Sequence, residues 1–226
     1  MKYSNIKNGI FLSRPNRFIA HVMIDGREEV VHVKNTGRCK ELLLSGSEVF
    51  CVRSDNTSRK TAYDLVAVKK GSRLINMDSQ APNAAFLEWV NEGKFIGKPD
   101  FIKPEYKWRN SRFDFFVRKD GRKILAEIKG VTLELDGACF FPDAPTERGI
   151  KHINELIAAA QEGYETYIVF IIQMKDVSFF SPNENTYPQF CEALRRAGER
   201  GVNIIAYDCL ITEDSMVIRD KVPVIL

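Results

Sequence analysis

No stretch of this sequence approaches the roughly 20 consecutive apolar residues that a bilayer-crossing helix needs, which excludes a helical membrane span from its reading. The opening MKYSNIKNGIFLSRPNRF holds no unbroken apolar segment of signal-peptide length, because Arg14 and Arg17 follow closely on Phe11 and Leu12. A cytoplasmic protein is expected. Cysteine is sparse: Cys39, Cys51, Cys139, Cys191 and Cys209 are odd in number, far apart and set mostly among apolar neighbours. With no CxxC pair and no His/Cys cluster, they read as reduced core thiols rather than a disulfide framework or a zinc site. A large excess of one charge is also missing, since 33 Lys and Arg face 30 Asp and Glu for a net +3. That balance permits nucleic-acid binding without demanding it, so any basic footprint is local. Internal repeats and low-complexity segments are absent. What remains is an ordinary globular composition, 44% hydrophobic and 28% charged in 226 residues, enough for one large domain or two small ones.

The first eighty or so residues read as short strands divided by turn signals: GIFLSRPNRFIAHVMID, REEVVHV, SEVFCVRSD, AYDLVAVKKG and RLINMD. Asp25-Gly26 fits a hairpin turn between the first two, and NTGRCKELLLSG reads as a short helix between the second and third. Five regularly spaced strands with one inserted helix predict a small closed barrel of the OB type. The pattern changes near Asn83, where NAAFLEWVNEG places Phe86, Leu87 and Val90 on a helical stripe ending at Gly93. Two strands joined through Asp120-Gly121 follow, then helix TERGIKHINELIAAAQEG, strand TYIVFIIQM, helix QFCEALRRAGERG and strand VNIIAYDCLI. The expectation is a mixed α/β protein, with an OB-like nucleic-acid-binding domain over residues 1–82 and an α/β domain over residues 83–226.

Strand ILAEIKGVTL raises the chemical question, because it keeps a carboxylate and an ammonium in an apolar run. Alternation places Leu125, Glu127 and Lys129 on one face. The preceding strand SRFDFFV carries Asp114 opposite an apolar row of Phe113, Phe115 and Val117, so the hairpin brings Asp114 to Glu127 across the ladder. Two close carboxylates resist ionisation unless a cation shares them, and oxygen-only ligation suits Mg²⁺ or Mn²⁺. Lys129 beside such a metal would position a water or stabilise a pentacovalent phosphate, which together make a phosphodiester-hydrolysis site. Two further acid-x-Lys triplets, Glu92-Gly93-Lys94 and Glu105-Tyr106-Lys107, lack the preceding carboxylate-bearing strand. The competing reading is a buried ion-pair network of Asp114, Glu127 and Lys129 without catalysis.

Other residues qualify as contacts to DNA. Arg148, Lys151 and His152 lie in the first turns of the helix after the motif strand and are placed to meet a phosphate, or to form a solvated helix face. Gln173 ends a buried strand and is a weaker candidate for facing the site. In the barrel, Phe11, Arg14, Arg17 and Phe18 interleave aromatic and basic side chains, and Arg38 and Lys40 add charge after a Thr36-Gly37 turn whose N–H groups suit an anion. His21 and His32 read as barrel residues rather than metal ligands.

These residues, in this order, resemble the PD-(D/E)xK nuclease superfamily. NTGRCKELL, SRFDFFV, AEIKGVTL, FPDAPTERGIKH and IIQM together resemble the sugar fermentation stimulation protein A family over nearly the whole chain. The resemblance implies an OB-like N-terminal domain joined to a restriction-endonuclease-like C-terminal domain. It also implies DNA binding, with regulation of sugar-metabolism genes as the alternative to cleavage. By the same resemblance Asp114, Glu127 and Lys129 are the catalytic set, the Ile128 carbonyl is a metal ligand, and Glu88 is the helix acid, with Glu92 or Glu105 able to replace it. Two departures are Gly130, where Ser is usual after the Lys, and HVKNTGRC in place of HCPNTGRM. DNA is the expected partner, and a homodimer is compatible with the sequence.

Overall fold

The structure, a computed structural model, describes every residue except Thr36 and Thr57. Six strands form the N-terminal half: β1 (Ile6–Ser13), β2 (Ile19–Ile24), β3 (Arg27–Val33), β4 (Glu48–Arg53), β5 (Tyr63–Lys70) and β6 (Arg73–Asn76). Their order is β3-β2-β1-β4-β5-β6, and pairing of Val31, His32 and Val33 with Tyr63, Asp64 and Leu65 joins β3 to β5. That pairing closes β1 to β5 into the small barrel predicted from strand spacing. Alternate residues Ala20, Val22 and Ile24 of β2 and Val31 and Val33 of β3 fill it. The stretch read as one strand is two antiparallel strands, β1 and β2, separated by the loop from Arg14 to Phe18. Asp25-Gly26 turns β2 into β3 with both residues at positive φ (49° and 77°), as a two-residue hairpin requires.

The helix expected in NTGRCKELLLSG does not form among its described residues, which make turns. Arg14 explains the difference. Its two terminal nitrogens donate to the carbonyls of Asn35, Gly37, Arg38 and Arg17 at 2.8–3.1 Å, and Cys39 takes a left-handed φ of 45°. A helix would need those carbonyls for its own ladder. Leu42 and Leu43 then anchor the segment in the barrel core.

The C-terminal half comprises α1 (Ala81–Asn91), β7 (Phe101–Trp108), β8 (Ser111–Lys119), β9 (Arg122–Val131), β10 (Leu133–Leu135), β11 (Ala138–Phe141), α2 (Glu147–Gln161), β12 (Glu165–Ile172), β13 (Phe179–Pro182), α3 (Pro188–Glu199), β14 (Asn203–Thr212) and β15 (Ser215–Val222). The main sheet runs β15-β14-β12-β9-β8-β7, with β12 parallel to both β9 and β14 and the outer pairs antiparallel. Alternation assigns its faces. Ile124, Ala126 and Ile128 of β9 pack with Val169 and Ile171 against Phe86, Trp89 and Val90 of α1. Leu125, Ile168 and Phe170 pack with Ile153, Leu156 and Phe190 of α2 and α3 on the other side. Strand β7 falls between the first helix and the Asp120-Gly121 hairpin, where the sequence pattern assigns no strand. It is an edge strand, where Pro104 and the left-handed Glu105 (φ 53°) cost little pairing. A small sheet of β10, β11 and β13 caps the end of β9.

The barrel joins the α/β half through polar contacts. Asn76 N–H donates to the Gln173 carbonyl at 2.9 Å, and the buried Glu134 takes Lys70 at 2.7 Å and Arg73 at 2.9 Å.

Candidate functional site

The β8–β9 ladder runs from Lys119 opposite Arg122 to Phe115 opposite Ala126 and ends there. Just beyond, Asp114 Oδ2 accepts the Ile128 N–H at 2.7 Å. A side-chain carboxylate thus serves a backbone donor where the ladder stops. Asn83, in the first turn of α1, donates Nδ2 to Asp114 Oδ1 at 3.1 Å. Leu125 and Glu127 share the α2 face of β9, so Glu127 points at that helix. Its Oε1 receives Lys129 Nζ at 2.7 Å and also contacts His152 Nδ1. Its Oε2 is buried and has no hydrogen-bond partner among the described residues. Arg148 Nε donates to His152 Nε2 at 3.4 Å, which leaves Nδ1 as the protonated ring nitrogen facing Glu127.

The environments push the two carboxyls apart. Burial and the nearby Glu127 charge raise Asp114 to about 6, against the lowering influence of the Ile128 N–H, Lys129 and Asn83. Burial acts to raise Glu127 too, but His152 and Lys129 outweigh it and hold that carboxyl below its ordinary range. The result is one carboxylate firmly ionised beside one that resists ionisation, a separation typical of reactive sites. Among the described residues no group of three or more His, Cys, Asp and Glu side chains is set to hold a metal ion. The site holds two carboxylates, Asp114 and Glu127, with the Lys129 ammonium and the His152 ring on the second.

Several expected contributors lie elsewhere. Glu88 does not join the pair: its Oε2 is 2.6 Å from the N-terminal ammonium of Met1, and the side chain is 59% exposed. Asn83, five residues earlier on α1, is the helix residue that reaches Asp114. Glu92 pairs with Lys94 at 2.6 Å, and Glu105 with Arg112 at 2.8 Å on the rim of a cleft. That cleft, about 560 Å³, is lined also by Lys107, Arg148 and Lys151. Arg148 is exposed there, as a phosphate contact requires, whereas His152 is 6% exposed and spends its ring on Glu127 and Arg148. His152 lines the same cleft, with its Nδ1 turned to Glu127 and its Nε2 accepting from Arg148. Gln173 sits in the seam between barrel and sheet, donating Nε2 to Asn76 Oδ1 at 2.9 Å and to the Asp78 carbonyl at 3.0 Å.

In the barrel, the four carbonyl bonds of Arg14 withdraw it from DNA binding, and its Nε is buried without a partner. Phe11 is core at 3% exposed, while Phe18 is 48% exposed and carries the Arg17 guanidinium 5.1 Å from its ring centre. Arg17 and Arg38 face solvent. Thr36, half of the turn read as an anion site, lies outside the described residues. Of its neighbours, Gly37 N–H donates to Asn35 Oδ1 and Arg38 N–H to Asp143 Oδ2. His21 and His32 pair with Glu28 and Asp64 on the barrel. Sequence reading missed Asn83 and the His152–Glu127 contact. An amide at a helix start gives no signal of the first, and the second depends on how α2 packs.

A closed five-stranded barrel fused to a mixed α/β sheet, with an Asp and a Glu-x-Lys triplet on adjacent strands, defines a two-domain protein of OB and restriction-endonuclease-like type. Residues 12–77 match the family model described as the SfsA N-terminal OB domain, and residues 80–215 match the sugar fermentation stimulation protein RE domain. The chain belongs to the sugar fermentation stimulation protein family. It is 56% identical over 226 residues to the sugar fermentation stimulation protein homolog of Clostridium beijerinckii, covering 100% of both chains. It is 58% identical over 224 residues to the Desulfitobacterium hafniense homolog, covering 99% of this chain and 98% of that one. Among solved structures it resembles Pyrococcus furiosus SfsA, described in complex with Ca²⁺, with a TM-score of 0.89 at 29% identity, over 100% of this chain and 98% of the other. No helix is long and apolar enough to cross a membrane among the described residues.

Proposed function

We propose that this protein binds DNA and hydrolyses its phosphodiester bonds with Mg²⁺ or Mn²⁺, using Asp114, Glu127 and Lys129. The observation that carries the reading is Glu127 Oε2, a buried acceptor with no hydrogen-bond partner among the described residues, beside a second carboxylate that resists ionisation. Buried acceptors normally find a donor, and a hard cation is the partner that serves both acids at once. Asp114, Glu127 and the Ile128 carbonyl would hold it, with the Asn83 amide N–H donating to Asp114 Oδ1 beside them. So few protein ligands suit an ion that keeps several waters. The Ca²⁺ in the description of the Pyrococcus furiosus relative supports affinity for such ions in this family. When bound, the cation would neutralise charge on the phosphate and acidify a water.

The chain's own residues supply the rest. Lys129, 2.7 Å from Glu127 Oε1, is placed to orient the attacking water and to face developing negative charge. His152 fixes the rotamer of Glu127 and steers Arg148 into the cleft. Arg148, Lys107 and Lys151 there offer phosphate contacts, and the OB barrel with Arg17 and Arg38 extends the basic footprint.

The test is cleavage of labelled single- and double-stranded DNA with Mg²⁺, Mn²⁺ or chelator, for the wild type beside Glu127→Gln and Lys129→Met. Metal-dependent cleavage lost in both variants is expected, and cleavage indifferent to chelator or to both substitutions would refute the assignment. A second reading, a DNA-binding regulator that does not cut, is favoured by the absence of a third acidic or imidazole ligand among the described residues. Intact DNA binding without cleavage would select it.

A further inference from the structure

A cavity of about 690 Å³ opens on the barrel between the end of β1, the Arg14–Phe18 loop and the turns of residues 37–45. Its floor is apolar, with Phe11, Cys39 and Leu43 at 3%, 2% and 9% exposure. Its rim is basic: Arg17, Arg38 and Lys40 are exposed, none has an ion-pair partner among the described residues, and no carboxylate lines the cavity. Phe18, next in the chain to the lining Arg17 and not itself part of the lining, is exposed and carries the Arg17 guanidinium 5.1 Å from its ring centre. Gly37 lines both this cavity and a smaller one of about 170 Å³, which reaches Gly130, the residue after Lys129.

We propose that this cavity takes one unpaired nucleotide of a single-stranded nucleic acid, its base on Phe18 and the apolar floor and its phosphates on Arg17, Arg38 and Lys40. The inference rests on the nucleic-acid-binding half of the proposed function and adds strandedness to it. A duplex presents phosphates to a surface while its bases stay stacked and paired, so it would leave the apolar floor and the exposed Phe18 ring uncovered. An unpaired base has two free faces and a polar edge, and an apolar pocket with cations round its rim and an exposed aromatic ring beside one of them complements both base and backbone. The volume falls in the range of built ligand sites.

The experiment uses the full chain in chelator, with fluorescein-labelled dT15 and a 15-base-pair duplex read by anisotropy. A parallel single strand carries 2-aminopurine. Phe18→Ala removes the exposed ring, and Ser45→Trp, on the cavity wall, fills the cavity without changing charge; unfolding midpoints equal to wild type certify both folds. The expected result is single-strand binding weakened roughly 10-fold, duplex binding within about 2-fold, and 2-aminopurine quenching lost in Phe18→Ala. Equal loss of both substrates, or no loss of either, overturns the proposal. Competition by free dTMP as effective as by the same nucleotide concentration in dT15 also overturns it, in favour of a small-nucleotide site. If the wild type binds no nucleic acid, this inference and the proposed function fail together. Cavity-dependent binding without metal-dependent cleavage upholds this inference and removes only the phosphodiesterase.

Discussion

Replacing Asp114 with Asn tests the electrostatic account of the site without relying on activity. Asn keeps the shape of the side chain, its oxygen accepts the Ile128 N–H as Oδ2 does, and Asn83 can turn its amide to meet the new NH₂ group. What disappears is the charge. Asp114 titrates near 6 in the folded protein against 3.8 for an ordinary Asp, so between those values the folded state binds the extra proton and stability falls as pH rises. At 1.36 kcal/mol per unit, the full cost reached above pH 6 is about 3 kcal/mol, and below pH 3.8 it vanishes. In chelator at pH 7.5, Asp114→Asn is therefore expected to melt higher than wild type, by roughly 6–12 °C for a chain of this length. The gain should shrink steadily to pH 4. Mg²⁺ should raise the wild-type midpoint at pH 7.5 and leave that of the variant nearly unmoved. The measurement is a set of unfolding midpoints at pH 4, 5, 6 and 7.5, with and without Mg²⁺. Parallel pH curves for the two proteins, or a variant less stable at pH 7.5, would refute the claim that burial and Glu127 strain this carboxylate.

Two substitutions away from the reactive pair probe the frame around it. Arg14→Lys should cost about 2 kcal/mol in denaturant unfolding, because one ammonium cannot reach the carbonyls of Arg17, Asn35, Gly37 and Arg38 together. An unchanged midpoint would mean that the guanidinium follows the segment rather than holding it. Gly130→Ser sets a Cβ 2.5 Å from Gln173 Oε1 and 2.9 Å from Pro82 Cγ. A loss of about 1–3 kcal/mol is expected, and a neutral result would show that Gln173 is free to leave Asn76 and Asp78.

What the sequence reveals and what it hides divide along a physical line. Asp25-Gly26 and Asp120-Gly121 are legible as hairpins because a two-residue turn demands positive φ from those very positions, whatever the rest of the chain does. The faces of β9 are legible because alternation is a property of the strand itself, and it correctly sets Glu127 and Lys129 together opposite Ile128. Strand β7 is hidden because Pro104 argues against any central strand, and only tertiary placement at the sheet edge makes it harmless. The segment 37–45 looks helical by composition, but the carbonyls a helix would use are claimed by Arg14, over twenty positions away. Distant partners are invisible to local propensity.

The same division runs through the candidate site. Asp114, Glu127 and Lys129 come from two consecutive strands, so spacing finds them, whereas the groups that tune them come from helices whose rotation about their own axes is fixed only by packing. On α1, an acid at Glu88 satisfies the expected pattern, yet Asn83 is the residue turned toward Asp114, and Glu88 is left to the N-terminal ammonium. On α2, His152 looks like a first-turn phosphate contact until Ile153 and Leu156 enter the core and carry the ring down onto Glu127, leaving the adjacent turn's Arg148 in the open cleft. Each error is one of helix rotation, not of residue chemistry. A short amide and a buried imidazole thus complete an arrangement in which His152 and Lys129 hold one carboxylate ionised while burial and that neighbouring charge resist ionisation of the other.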